Sequence, residues 1–302
     1  MTERRCVVLS VMYNNEATIA TMIRSLRPDR NAIAQVVLVD NGSTDRSVEV
    51  AEQELATAGF SSVVVRSINT GFAGGYETAR RAVAEDGTLL CVNPDVELGA
   101  GVLQRLLEAA SRPGVGIATA PLQNLEGVED SASRRRLPTL AGASAYAVIG
   151  KLLPASLRYN SVRRDDLSSG LILADGTRTT LVEATTGALM MLSPEFRTAA
   201  STIFDLDYWM YGEDLQLCLD AQRQRLSVLM IETVASTHIK GVSSGLPRSR
   251  QSDRAFHDAL FTYYRKNLRR NRSEEAVVRL AIELRFHQSR LRSWAAGRRT
   301  RG

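Results

Sequence analysis

Val39-Asp40-Asn41-Gly42-Ser43-Thr44-Asp45 joins an apolar, β-branched-rich run to a helical pattern. The run Val36–Asp40 reads as a strand, Gly42 permits a tight turn, and Ser43 or Thr44 can cap a helix over Asp45–Ala58 that stops at Gly59. The same alternation extends on both sides. Cys6–Tyr13, Val63–Ser67, Leu89–Asn93 and Gly116–Pro121 read as strands. A helix capped by Asn15 and running to about Leu26, together with Ala73–Ala84 and Ala100–Ala110, fills the intervals. Repeated βα units of this length predict an α/β protein, with a mostly parallel central sheet flanked by helices and right-handed crossovers.

Beyond Pro121 the regularity fails. Residues 122–140 read as a long polar loop containing Arg134-Arg135-Arg136-Leu137-Pro138, and 141–170 are ambiguous. Leu171–Val182 reads as a hairpin about Asp175-Gly176, Ala188–Leu192 and Ser227–Thr233 as strands, and Gly212 to about Arg225 as a helix. From about Asp253 the pattern is helical and basic. Residues 246–302 hold 15 Lys and Arg against 5 Asp and Glu, a balance of +10, whereas 1–245 hold 23 against 28, a balance of −5. This divides the chain into a body, 1–245, and a basic helical C-terminal extension, 246–302.

At 44% hydrophobic and 24% charged residues the chain can bury one large or two small cores, and no apolar run approaches the ~20 residues that span a bilayer. The N-terminus reads as the first strand, not a secretory leader. Cys6, Cys91 and Cys218 are scattered, without metal-ligand spacing, which suits buried thiols in a reducing cytoplasm.

Acidic clusters mark the chemistry. Asp40 and Asn93-Pro94-Asp95 each end a strand, and Glu213-Asp214 opens a helix after Trp209-Met210-Tyr211-Gly212. In a parallel sheet the carboxyl ends of the strands form one ligand-binding rim. A strand-end Asp is equally a turn residue or cap. At that rim Asp40 can accept from a base N–H or ribose hydroxyl, and Asp95 can hold a divalent cation with substrate phosphates. The Glu213-Asp214 pair can act as general base beneath aromatic rings able to stack on a sugar. Asn69-Thr70-Gly71-Phe72-Ala73-Gly74-Gly75 lacks the P-loop ending and the dinucleotide fingerprint; it is either a packing turn or a backbone approach to a nucleotide. His238 is either structural or a metal ligand.

Taken together, the motifs resemble the family 2 glycosyltransferases with the GT-A fold, above all bacterial rhamnosyltransferases of cell-wall and surface polysaccharide synthesis. The resemblance rests on Val11-Met12-Tyr13-Asn14, the Asp40 and Asn69–Gly75 segments, Asn93-Pro94-Asp95, Arg134–Pro138, Thr186-Gly187-Ala188, Tyr211-Gly212-Glu213-Asp214 and His238-Ile239-Lys240-Gly241, all in family order over roughly 10–245. It implies an inverting transferase that takes a sugar from a nucleotide-diphosphate donor such as dTDP-rhamnose and passes it to a polyprenyl-diphosphate-linked or glycan acceptor. Donor-binding positions would be Tyr13, Asn14, Asp40, Asn41, Ser43, Asn69, Gly74, Gly75, Asn93 and Asp95. Asp95 and His238 would hold Mg²⁺ or Mn²⁺, Asp214 would be the base with Glu213 the second choice, and Trp209, Tyr211 and Arg136 would meet the acceptor. One departure is Asn93, where the family usually has Asp.

In the tail, Val277, Leu280, Ala281, Leu284, Leu291 and Trp294 fall near one stripe, with Arg279, Arg285, Arg290 and Arg292 beside it. Such a helix can lie on an anionic membrane, which would place the protein at the inner face of the plasma membrane; alternatively the stripe packs on the body or forms a homodimer. Rival readings are a nucleotide-sugar-binding protein without transfer activity and a nucleic-acid-binding protein using the basic tail, though no nucleic-acid motif accompanies that tail.

Overall fold

The computed structural model describes residues 4–84, 87–139, 162, 167–198, 202–233, 235–239 and 250–299, with side chains as far as Arg290 in the last span. Two sheets are present among these residues. The larger has nine strands in the order β3-β2-β1-β4-β10-β6-β11-β9-β8. They are β1 Cys6–Met12, β2 Ile33–Asp40, β3 Ser62–Arg66, β4 Thr88–Val92, β6 Val115–Thr119, β8 Ser169–Ile172, β9 Arg178–Leu181, β10 Leu189–Leu192 and β11 Ser227–Ile231. The smaller has the order β5-β12-β7, from Val96–Glu97, Ser236–His238 and Leu122–Gln123. In the large sheet only β10 and β9 run against the common direction.

Alternating side chains send the strands into two cores. Val8, Val36 and Leu38 join α1 (Ile19–Ser25), α2 (Ser47–Ala58) and α4 (Val102–Ala110). Val7, Leu9, Val37 and Val39 face α3 (Gly71–Arg81) and a later helix, Glu213–Arg223. Central strands buried on both faces explain why these runs are continuously apolar rather than alternating. Each buried Val or Leu contributes about 1.5–3 kcal/mol. Cys6, Cys91 and Cys218 are buried free thiols.

A short helix, α5 (Pro194–Thr198), follows β10. Next comes α6 (Glu213–Arg223), then α7 (Arg250–Asn267) and α8 (Arg272–Arg299). The last two pack together, and α7 is fastened to the body by Lys266 on Asp205 and Asp207, both at 2.5 Å, and by Asn267 on Gln216 at 2.7 Å.

Helix starts depart from expectation. α1 begins at Ile19, because Asn15 Oδ1 accepts from Tyr13 N and only the Asn15 carbonyl serves the helix. α2 begins at Ser47, because Ser43 and Thr44 bond Asn14 instead of capping. α3 begins two residues early, at Gly71. The hairpin about Asp175-Gly176 and the stop at Gly59 stand as expected. The stretch 122–140 contains strand β7, and most of 141–170 lies outside the described residues.

Candidate active site

β2 and β1 end side by side at Asp40 and Met12, and the parallel β4, whose Cys91 pairs with Leu9, ends toward the same rim at Val92. Because β10 is reversed, its first residue, Leu189, pairs with Val92. Thr186-Gly187-Ala188 therefore arrives at the same rim, where Asn93 N donates to the Ala188 carbonyl at 2.9 Å.

The first turn is tightly knit. Asp40 is buried, and its Oδ1 accepts from Ser43 N at 3.1 Å. Asn14 N donates to Ser43 Oγ at 2.9 Å, and Asn14 Oδ1 accepts from Thr44 N at 2.8 Å. Tyr13 stands exposed beside this turn. Asn41 bridges to the next turn: its Oδ1 accepts from Thr70 N and its Nδ2 donates to the Gly71 carbonyl, each at 3.0 Å. Asn69 Oδ1 accepts from Gly71 N at 3.0 Å. Gly71 has a φ of 79°, and a Cβ there would collide with Trp209, whose carbonyl accepts from Phe72 N at 2.7 Å. Trp209 is thus seated on the glycine-rich turn.

At the second cluster, His238 sits within β12 opposite Val96, with Nε2 3.3 Å from Asp95 Oδ1 and Nδ1 3.5 Å from Asp130 Oδ2. Asn93 Oδ1 is buried without a hydrogen-bond partner, and buried Asp95 Oδ1 has the His238 contact but no well-formed hydrogen bond. Buried oxygens left in that state suit a hard cation. Among the described residues no three His, Cys, Asp or Glu side chains form a ready metal cage. A divalent cation here would take further ligands from substrate phosphates or water.

The third cluster lies at the start of α6. Asp214 Oδ2 pairs with Arg135 Nη2 and accepts from Gly187 N at 3.2 Å, while Oδ1 accepts from Leu215 N at 2.8 Å. Arg135 also donates to the Thr185 carbonyl at 2.5 Å. Burial, then the adjacent Asp214 charge, raises the Glu213 carboxyl to about 8, with the nearby Arg135 opposing. Folded Glu213 therefore keeps a proton that the unfolded chain releases near 4.5. The stability this proton confers is complete below about 4.5 and lost as pH rises through about 8. Glu213→Gln should flatten the fall in urea midpoint across that window; parallel slopes for both proteins would refute the assignment.

Buried Tyr76 joins the second and third clusters. Its hydroxyl donates to the Val92 carbonyl at 3.2 Å. Burial raises its pKa, with smaller contributions from Cys91, then Asp95 and Glu213.

The remaining predicted residues sit as follows. The half-buried Tyr211 meets the Phe256 ring in a T-shaped contact at 5.8 Å, and its hydroxyl shares a hydrogen bond with Ser252 Oγ at 2.7 Å. Gly75 is buried, and a Cβ there would lie 2.5 Å from Val11, so helix-to-strand packing requires its small size. Gly74 lies beside Thr70. Arg136 lines a cleft with Arg135, Val162, Leu167 and Glu183. That cleft adjoins Asp214 through Arg135.

Arg135 and Asp130 were not read from the sequence. The arginine run was visible, but its orientation was not. Arg135 forms a β-bridge with Ala184, which turns it and its neighbours to opposite sides. Arg134 goes to Glu232 at 2.7 and 3.0 Å and to Glu129 at 2.7 Å.

A mostly parallel sheet with carboxylates from distant segments on one rim is the layout of a GT-A glycosyltransferase. The solved structure of GalNAc-T7 with UDP, GalNAc and Mn²⁺ aligns with a TM-score of 0.61 at 12% identity, over 87% of this chain and 48% of that one. The mannosyltransferase PcManGT of Pyrobaculum calidifontis, in complex with GDP-Man and Mn²⁺, aligns at 0.57 and 16% identity, over 98% and 75%. The N-acetylglucosaminyl-diphospho-decaprenol L-rhamnosyltransferase of Mycobacterium tuberculosis is 29% identical over 227 residues, 70% of this chain and 68% of its own length. The profile described as glycosyl transferase family 2 matches residues 7–168. The chain belongs to glycosyl transferase family 2 and is a glycosyltransferase.

Proposed function

We propose that the protein moves a sugar, rhamnose from dTDP-rhamnose, to a polyprenyl-diphosphate-linked acceptor, inverting the anomeric configuration. The observation that carries this reading is the gathering of Asp40, Asp95 and Asp214 on one rim, joined by Asn41–Gly71, Phe72–Trp209, Asn93–Ala188 and Gly187–Asp214 contacts. The mycobacterial relative's name supports the sugar and the lipid-linked acceptor.

In this reading Asp40 and the backbone about Tyr13 and Asn14 receive the nucleoside, and Asn69 with the α3 turn borders the diphosphate. Asn93, Asp95 and His238 hold Mg²⁺ or Mn²⁺, which supplies positive charge against the departing diphosphate. Trp209 and the Arg136 cleft border the acceptor. Asp214 takes the acceptor proton as the hydroxyl oxygen attacks the anomeric carbon from the face opposite the diphosphate. The sugar–phosphate bond breaks and its electron pair leaves with the diphosphate. Arg135, Gly187 N and Leu215 N fix the Asp214 carboxylate for that transfer.

The test is a thermal-shift panel of nucleotide sugars with and without Mn²⁺ or Mg²⁺. A donor at 100 times its Kd should stabilise the fold by about 2.7 kcal/mol. dTDP-rhamnose with metal should give the largest shift, and Asp95→Ala should remove the metal-dependent part. A panel in which no nucleotide sugar shifts the transition would overturn the reading.

A further inference from the structure

Helix α8 has two apolar faces. Phe286 is buried and Val278 and Ile282 are half-buried toward α7. That side is closed by Arg279 over the Phe261 ring at 5.6 Å, Arg254 over the Phe286 ring at 5.3 Å, and Ser289 on Asp253 at 3.2 Å. On the other side Val277, Leu280 and Leu284 are 67%, 62% and 55% exposed, with Ala281 exposed among them. Their spacing sets them in one line along the helix. An aligned set of large aliphatic side chains facing water marks an interaction surface.

Charge decides the occupant. All five acids of residues 246–302 are engaged within the hairpin. Asp258 and Glu283 pair with Arg254, Glu275 with Arg269, Glu274 accepts from Tyr264, and Asp253 accepts from Ser289. The extension that carries the apolar line keeps a formal surplus of +10, of which Lys266 is met by Asp205 and Asp207 of the body. A second copy of the chain would bring two such surpluses together, whereas an anionic lipid surface complements both the charge and the aliphatic line. We propose that the Val277–Leu280–Leu284 face of α8 lies on an anionic membrane.

The position of the hairpin gives the contact a purpose. α7 starts against the corner that precedes the catalytic pair: Tyr211 and Gly212 both have left-handed φ, 73° and 81°, and Tyr211 is held there by Ser252 and Phe256. The hairpin that meets lipid is thus joined directly to the turn that sets Glu213 and Asp214. Delivery of a lipid-linked acceptor to that turn rests on the proposed function; the membrane contact does not.

The experiment is flotation of the full chain with vesicles of phosphatidylcholine alone and of phosphatidylcholine with phosphatidylglycerol. It compares wild type with the combined variant Val277→Ser, Leu280→Ser, Leu284→Ser. Wild type should float with anionic vesicles only and detach at high salt, and the variant should lose at least about tenfold of its bound fraction. All three positions are exposed, so the melting temperature should hold. Wild type that stays in the pellet, a variant that floats equally well, or a wild-type dimer in light scattering that the variant dissociates would each overturn the proposal. Transfer to a water-soluble acceptor analogue should survive in the variant. Failure of that transfer in wild type counts against the sugar-transfer reading and leaves the flotation result standing.

Discussion

Asp214→Asn should reduce sugar transfer by at least about 10²–10⁴-fold, the range that proton transfer by a positioned group contributes, with donor affinity nearly unchanged. The amide keeps the shape of the side chain but cannot take a proton. The substitution also weakens the buried Arg135–Asp214 pair, which by itself can cost stability. Loss of activity must therefore be separated from loss of fold. Combining Asp214→Asn with Arg135→Gln replaces the whole pair by neutral groups and should leave turnover as low as in Asp214→Asn alone, whatever it does to melting temperature. Turnover within tenfold of wild type in a folded Asp214→Asn protein would exclude Asp214 as the base.

Glu232→Ala should destabilise the protein by about 1.5–3 kcal/mol, because the buried Arg134 loses the better buried of its two carboxylate partners and keeps only Glu129. Arg134 and Glu232 are both buried, and their two hydrogen bonds, at 2.7 and 3.0 Å, tie the 122–139 segment to the end of β11. Thr180 Oγ1 adds a bond to the same carboxylate at 2.6 Å. Glu129 is the control. It also pairs with Arg134 but is half exposed, so Glu129→Ala should cost under about 1 kcal/mol. Urea midpoints of the two variants decide it: equal losses would mean that the buried pair has no special role.

The βα half of the fold was legible because its signals are local. Val36–Asp40 and its turn announce a buried strand and a loop through composition alone. The same reading named Asp40, Asp95 and Asp214, since strand ends and helix starts can be placed without tertiary information. What escaped depends on pairing between distant segments. His238 was placed after a strand, yet it lies in one, because β12 exists only through β5 and β7. Arg135 could not be told from Arg134 and Arg136 until its bridge to Ala184 fixed which way each side chain points. The contact of the Tyr211 ring with Phe256 of α7, some forty residues later, is likewise invisible to a local reading. Caps were misplaced for a related reason: Ser43 and Thr44 had a local use as caps, but the end of β1 took them.

The reversed strand β10 has a consequence for biosynthesis. It is wedged between β4 and β6, although nearly a hundred residues separate Val92 from Leu189. On the ribosome, β1 to β4 can pair as they emerge, but the flank of β4 then awaits its neighbour for roughly 5–20 s at ordinary elongation rates. Throughout that interval the nascent chain carries an open row of amides and carbonyls beside apolar Leu89, Leu90 and Val92. Yield in a cell should consequently be governed by how well chaperones shield that seam, more than by how firmly the finished enzyme holds together.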